Sequence, residues 1–140
     1  MDKRNRIILL IDFSEYSENL TNFAFQLSDI IKAGVVFVHQ IPGMAPAMAD
    51  REVRTEVVRT ETDEAHSRLR KLAEGRVYSH DSFQVSHMPI LSILKDLESD
   101  TYDDWVIAGL KGTGPLKRLF IGSTTLSIID ESDLLTVAIP

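Results

Sequence analysis

Two glycine-containing segments have residue types that suit the binding of an anion. The first, Gly109-Leu110-Lys111-Gly112-Thr113-Gly114, follows an apolar run, and its glycines allow positive φ and expose backbone N–H groups. The second, Gly122-Ser123-Thr124-Thr125, begins a predicted helix, whose first turn supplies unpaired N–H donors and the positive end of the helix dipole. Hydroxyl groups in the second segment add further donors. The two segments together predict a phosphate-binding site. The alternative, without a ligand, is a helix cap beside an ordinary glycine turn.

The charge distribution points to the same region. Residues 105–129 contain Lys111, Lys117 and Arg118 but no carboxylate. This window carries +3, and because the whole chain carries −6, the remainder carries −9. The acidic remainder repels polyanions, so we expect neither nucleic acid nor a membrane as a partner, whereas the window can hold a small anion. Lys111 lies inside the first glycine segment and is the best candidate for a phosphate contact.

Several chemistries are disfavoured by what the sequence lacks. There is no cysteine, which excludes disulfides and thiol catalysis. Pro115-Leu116 follows the first glycine segment where a P-loop needs Lys and then Ser or Thr, and no G-x-G-x-x-G occurs. The four histidines lack the spacing of a helical metal site, so we predict no metal held by side chains. Because no apolar run approaches the roughly 18 residues of a membrane span, the cytoplasm is the expected location.

Short apolar segments alternate with helical patterns along the chain. The predicted strands are 7–11, 35–39, 83–85, 105–108 and 134–139. The predicted helices are 15–32 with Ser14 as N-cap, 51–74 ended by Gly75, 90 to about 100 after Pro89, and 122 to about 131. This alternation predicts an α/β fold with a parallel sheet and helices on both faces, since the connections are long enough for right-handed crossovers. The 140 residues are expected to form a single domain, 1–140.

Polar residues at predicted strand ends complete the set of candidates. Ligands of open parallel sheets bind at the carboxyl ends of strands where the strand order reverses, and Asp12 directly follows the first predicted strand. An aspartate there serves either a turn or a ligand.

Asp103 and Asp104 form a carboxylate pair, but neighbours in a strand point to opposite sides, so we interpret them as a solvated turn. The uncharged segment 42–49 is interpreted as a flexible linker, or alternatively as a lid.

The glycine pattern resembles the signature of a known family. Gly109-x2-Gly112-x9-Gly122-Ser123 is similar to G-x2-G-x9-G followed by Ser or Thr, the ATP-binding signature of universal stress proteins. Asp12 with the following Phe-Ser, and the second predicted strand, extend the resemblance over the whole chain. The resemblance implies a flavodoxin/Rossmann-like, three-layer α/β sandwich of the adenine nucleotide alpha hydrolase-like type. Its five parallel strands would have the order 3-2-1-4-5, with the reversal between strands one and four.

The same resemblance implies roles for individual residues. Asp12 would meet the adenosine end of ATP bound with Mg²⁺, and Gln40 would lie at the adenine contact that ends the second strand. The ribose and phosphates would meet Gly109, Gly112, Gly122, Ser123 and Thr125, and we add their neighbours Lys111 and Thr124 to the predicted site. Leu10 and Gln40 depart from the family pattern, which commonly has a proline or small residue at the first position and a small aliphatic residue at the second. Backbone contacts stay possible at both.

Three functions are compatible with such a site. The first is an ATP-binding regulatory module of the stress response that signals through its occupied state. The second is a slow ATPase or phosphotransferase, which requires a base that the sequence does not identify. The third is a dimeric interaction protein that binds no nucleotide. The apolar last strand, Leu134 to Ile139, predicts a homodimer because exposed sheet edges are commonly covered or paired, and the resemblance implies the same contact.

Overall fold

The computed structural model is an α/β fold built around a five-stranded parallel sheet. It describes residues 3–42, 50–74, 76, 82–109 and 134–139. The elements in chain order are β1 (Arg4–Leu10), α1 (Ser17–Ile31), β2 (Gly34–Gln40), α2 (Arg51–Leu72), β3 (Phe83–Ser86), α3 (Ile90–Leu97), β4 (Tyr102–Gly109) and β5 (Leu135–Ile139). The sheet order β3-β2-β1-β4-β5 confirms the predicted 3-2-1-4-5 arrangement.

Apolar side chains form a core on each face of the sheet. The core under α1 and α2 includes Ile7, Leu9, Leu20, Phe37 and Leu69. The core under α3 includes Ile8, Leu10, Val38, Ile93 and Leu94. Successive residues of β1 enter opposite cores, which explains why this central strand is an uninterrupted apolar run in the sequence. Helices therefore lie on both faces, as the sequence predicted.

Helix α1 begins later than predicted, and Ser14 is not its N-cap. The Ser14 N–H donates to Asp12 Oδ1 at 2.9 Å, and Ser14 Oγ accepts from the Tyr16 N–H at 3.3 Å. Tyr16 occupies the cap position without a side-chain hydrogen bond, and the helix starts at Ser17. The prediction was wrong because the chain first turns around the Asp12 carboxylate, with Phe13 in the left-handed region at φ 58°.

The long helix α2 begins where the sequence predicted. Asp50 caps it by accepting the Val53 N–H at 2.9 Å, and the helix ends at Leu72, two residues short of the predicted 74. Its predicted terminator, Gly75, lies outside the described residues, as do the predicted fourth helix and most of the 42–49 segment.

Strand β4 begins three residues earlier than predicted and contains both Asp103 and Asp104. Their side chains differ as the strand alternation requires, since the Asp103 side chain is 61% exposed and that of Asp104 only 5%. Asp104 accepts two hydrogen bonds from Arg6, its register partner on β1. The interpretation as a turn was therefore wrong for both residues, which lie in β4, and the expected solvation was wrong for Asp104, because its basic partner comes from a distant part of the sequence.

Candidate functional site

Three predicted site residues lie at the carboxyl ends of neighbouring strands. Gln40 is the last residue of β2, Gly109 is the last residue of β4, and Asp12 lies two positions beyond β1, which runs between them. Leu10 stands opposite Val38, so Asp12 and Gln40 each lie two positions past that pair. With neighbouring strands about 4.8 Å apart, the three residues share one edge of the sheet, where the strand order reverses between β1 and β4.

The other predicted contacts lie outside the described residues. These are Lys111, Gly112, Gly122, Ser123, Thr124 and Thr125. Gly109, the last described residue before them, pairs with Ile139 of β5 at the same edge. The described chain before the predicted phosphate-binding segment therefore ends at the same edge as Asp12.

The Asp12 side chain is exposed at this edge and partly engaged in the local turn. Its Oδ1 accepts the Ser14 N–H at 2.9 Å and lies 3.5 Å from Ser17 Oγ. Oδ2 receives no hydrogen bond from any residue in the described part of the chain. One oxygen thus fixes the carboxylate, and the other can accept a hydrogen bond from a ligand.

A stack of three side chains that sequence reasoning missed lies beside Asp12. The Phe13 ring centre is 4.4 Å from that of His39, and the Arg68 guanidinium carbon lies 4.0 Å from the Phe13 ring centre. A positive φ costs a bulky residue roughly 1–2 kcal/mol, and packing against both neighbours offsets that cost at Phe13. His39 shares the face of Phe37 by strand alternation and was traceable from the sequence, but Arg68 comes from α2 and was not.

The imidazole of His39 has a defined hydrogen bond and charge state. Its Nδ1 lies 2.7 Å from the Ile11 carbonyl oxygen, which can only accept, so Nδ1 carries the proton. Burial lowers the pKa of His39 below its ordinary value and outweighs the bond to Ile11, which raises it; Arg68 lowers the pKa further and Asp12 raises it. His39 is therefore neutral at pH 7.

Two further observations concern the described ranges only. None of their helices is both long and apolar enough to cross a membrane. They also contain no group of three or more histidine, aspartate or glutamate side chains arranged to hold a metal ion.

The comparison with known proteins identifies the family. The sequence profile of the universal stress protein family matches residues 3–139. The chain belongs to the universal stress protein family. No protein in the curated collection matches it significantly.

Solved structures share the fold of this universal stress protein at low sequence identity. Universal stress protein UspA from Lactobacillus plantarum is 19% identical with a TM-score of 0.71, and the match covers 99% of this chain and 100% of that one. A universal stress protein from Archaeoglobus fulgidus in complex with dAMP is 19% identical, with a TM-score of 0.58 and coverage of 99% and 100%. One in complex with cAMP is 14% identical, with a TM-score of 0.55 and coverage of 99% and 98%.

Proposed function

We propose that this universal stress protein binds an adenine nucleotide, ATP with Mg²⁺, and acts as a nucleotide-dependent regulatory module of the stress response. The observation that carries the proposal is the meeting of Asp12, Gln40 and Gly109 at one edge of the sheet, where the strand order reverses. Family membership supports it, as do the two relatives of the same fold that are in complex with dAMP and cAMP.

The adenosine end of the nucleotide lies near β1 and β2 in this proposal. Asp12 Oδ2 accepts a hydrogen bond from a ribose hydroxyl, while Oδ1 stays bound to the Ser14 N–H. Gln40 presents its backbone to the base, because it is the last residue of β2 and lies beside the turn that follows β1.

The phosphates lie over the segment that follows β4. Gly109 begins that segment, and Lys111, Gly112, Gly122, Ser123, Thr124 and Thr125 belong to the acid-free window with its three cations. Backbone N–H groups, hydroxyls and lysine suit phosphate oxygens, and a nearby carboxylate would repel them. Because Mg²⁺ bound with a nucleotide commonly keeps phosphate and water ligands, the proposal requires no cluster of carboxylates.

Calorimetry with ATP, ADP and AMP tests this function directly. We expect binding by the wild type and its loss in Gly122→Val, because the added side chain would stand where the phosphate approaches the backbone. Gly34→Val is the matched control: Gly34 begins β2 at the opposite edge, and a Cβ added there meets no atom within 4 Å. A wild type that binds no nucleotide at millimolar concentration would exclude the proposal, and a folded Gly122→Val with unchanged affinity would exclude this placement of the phosphates.

We also propose that the protein forms a homodimer through β5. This strand pairs with β4 from Trp105 to Gly109, and no other described strand pairs with its second edge. Leu135 at its start is 54% exposed. An apolar strand with an unpaired edge is commonly covered by a partner, and a second copy of the same strand can pair with it.

A further inference from the structure

We propose that His39 is a positioning residue that keeps the sheet open between β1 and β2, at the base end of the nucleotide site. It does so by holding the Ile11 carbonyl oxygen, which would otherwise accept the Gln40 N–H. The open ladder leaves the Gln40 backbone free to bind the edge of a base. This role rests on the nucleotide binding proposed above, but its structural half can be measured without a nucleotide.

The backbone hydrogen bonds show where the ladder should continue. The Ile11 N–H donates to the Val38 carbonyl at 2.9 Å, and the Ile41 N–H donates to the Ser86 carbonyl at 2.9 Å. Because alternate residues of a parallel strand bond to opposite neighbours, Val38 and Gln40 face β1 while Ile41 faces β3. The next bond of the β1–β2 ladder would therefore join the Gln40 N–H to the Ile11 carbonyl.

That bond is replaced by one from the histidine side chain. His39 Nδ1 donates to the Ile11 carbonyl oxygen over 2.7 Å, which is short for an N–H···O bond. Among the residues that the structure describes, the backbone ladder between β1 and β2 ends with the bond from Ile11 to Val38, and no backbone carbonyl accepts the Gln40 N–H. The Ile11 carbonyl oxygen thus has the imidazole as its partner at the position where a continued ladder would have the Gln40 N–H.

The Gln40 carbonyl loses its ladder partner for a second reason. In a continued ladder it would accept the Phe13 N–H, but the chain turns away at Asp12, where Oδ1 accepts the Ser14 N–H. Phe13 follows with φ 58°, and its ring packs on the His39 imidazole at 4.4 Å. This packing restrains the orientation of the imidazole, so the turn and the histidine bond support each other.

The exposed backbone pair has a defined chemical preference. An extended residue directs its N–H and C=O to the same side, so Gln40 presents one donor and one acceptor towards β1. Adenine places its N6 amino donor beside a ring nitrogen acceptor, and this pattern complements the pair. Guanine has the O6 acceptor in place of the amino group and would set it against the Gln40 carbonyl. The open ladder therefore favours adenine over guanine nucleotides.

Hydrogen exchange of the Gln40 amide in ligand-free protein tests the structural half. His39→Leu removes the donor and keeps an apolar side chain, His39→Asn keeps a donor in its Nδ2–H, and His87→Leu is a control at an exposed histidine beyond β3. We expect fast exchange in the wild type, His39→Asn and His87→Leu. Exchange should slow by about 10-fold or more in His39→Leu, because the freed Ile11 carbonyl accepts the Gln40 N–H.

Calorimetry with ATP and GTP tests the functional half. In His39→Leu the Ile11 carbonyl takes the Gln40 N–H away from the base, while the Gln40 carbonyl stays available because the turn at Asp12 is unchanged. This variant should therefore bind ATP on the order of 10-fold more weakly and show a smaller preference for ATP over GTP. The ATP affinity of His39→Asn should stay within about 3-fold of the wild-type affinity, because its side chain keeps an N–H donor for the Ile11 carbonyl. A merely structural histidine would instead lower stability and weaken both nucleotides equally, without slowing exchange at Gln40.

The outcomes separate this role from the proposed function. Slow exchange of the Gln40 amide in the wild type would overturn the open ladder, even if His39→Leu did not fold. An unchanged exchange rate in folded His39→Leu would overturn the role of the histidine. If the exchange pattern is as expected but the wild type binds no nucleotide, the proposed function fails while the opening of the ladder by His39 is supported.

Discussion

Replacing Asp104 by alanine should destabilise the protein by about 3–5 kcal/mol, because it leaves a buried guanidinium without its carboxylate. Arg6 donates to the two oxygens of Asp104 at 2.7 and 2.9 Å, and the two side chains are only 13% and 5% exposed. Arg6 also donates to the Leu97 carbonyl at 2.6 Å, and its guanidinium carbon lies 4.4 Å from the Tyr102 ring centre. These contacts hold the cation in place when the carboxylate is removed.

Urea denaturation measures this loss. With a denaturant slope of about 2 kcal/mol/M, the midpoint should fall by roughly 1.5–2.5 M at an unchanged slope. Asp103→Ala is the matched control, since that side chain is 61% exposed and lies 4.0 Å from Lys3, so its replacement should change stability by less than about 0.5 kcal/mol. Nucleotide affinity should not change in either variant, because both residues lie at the amino end of β4, away from Asp12 and Gly109.

A double replacement shows whether the stability loss in Asp104→Ala comes from the buried, unpaired charge of Arg6 or from the lost contacts of Asp104. Arg6→Met combined with Asp104→Leu should recover most of the stability, because an apolar pair of similar size carries no desolvated charge. If Asp104→Ala costs less than about 1 kcal/mol, or no more than Asp103→Ala, the guanidinium is hydrated in the folded protein and the reasoning from burial is refuted.

Three further outcomes are expected. The NMR titration midpoint of His39 should lie below 6.5 because burial disfavours the cation, and it should rise in Arg68→Ala, which removes a repelling charge. Since the unfolded chain takes up this proton first, stability should fall as the pH drops through 6.5 and level off below the folded-state pKa; a midpoint above 6.5 would contradict both statements. Asp50→Ala should lower the urea-derived stability by about 1 kcal/mol because the Val53 N–H loses its cap, and an unchanged midpoint would show that the cap contributes nothing. Leu135→Lys should lower the dimer fraction measured by light scattering, because it places a charge beside the unpaired edge of β5. A wild type that is monomeric at high concentration would exclude the dimer.

The strands were predictable because burial on both faces leaves a clear mark on the sequence. Ile7 to Leu10 alternate between the two cores, so every position of that stretch is apolar. The strand order was implied by the resemblance to universal stress proteins, and right-handed crossovers already limited the possible arrangements. The starts of β1 and β4 were less predictable, because their first residues are mostly polar and resemble turn residues in the sequence. Only the pairing of the two strands shows that these residues belong to the sheet.

The errors at Ser14 and Asp104 have different physical causes. Ser14 has the right type and position for an N-cap, but its N–H is taken by the Asp12 carboxylate, which draws the chain into a turn before α1. Asp104 looks solvated beside Asp103, but its partner Arg6 is 98 residues away in the sequence. The turn at Ser14 is a local competitor of the helix cap, whereas the ion pair of Asp104 depends on a partner that no local pattern specifies.

Residue types and predicted strand ends placed Asp12 and Gly109 at one edge of the sheet, because parallel strands end on the same side whatever their detailed packing, and the family resemblance added Gln40. The contacts that shape the base end of this edge required the folded chain. The bond from His39 to the Ile11 carbonyl spans 28 residues, and Arg68 reaches Phe13 only because α1 and α2 lie on the same face of the sheet. Such contacts depend on the direction of side chains across several elements, and hydrophobic periodicity carries no information about them.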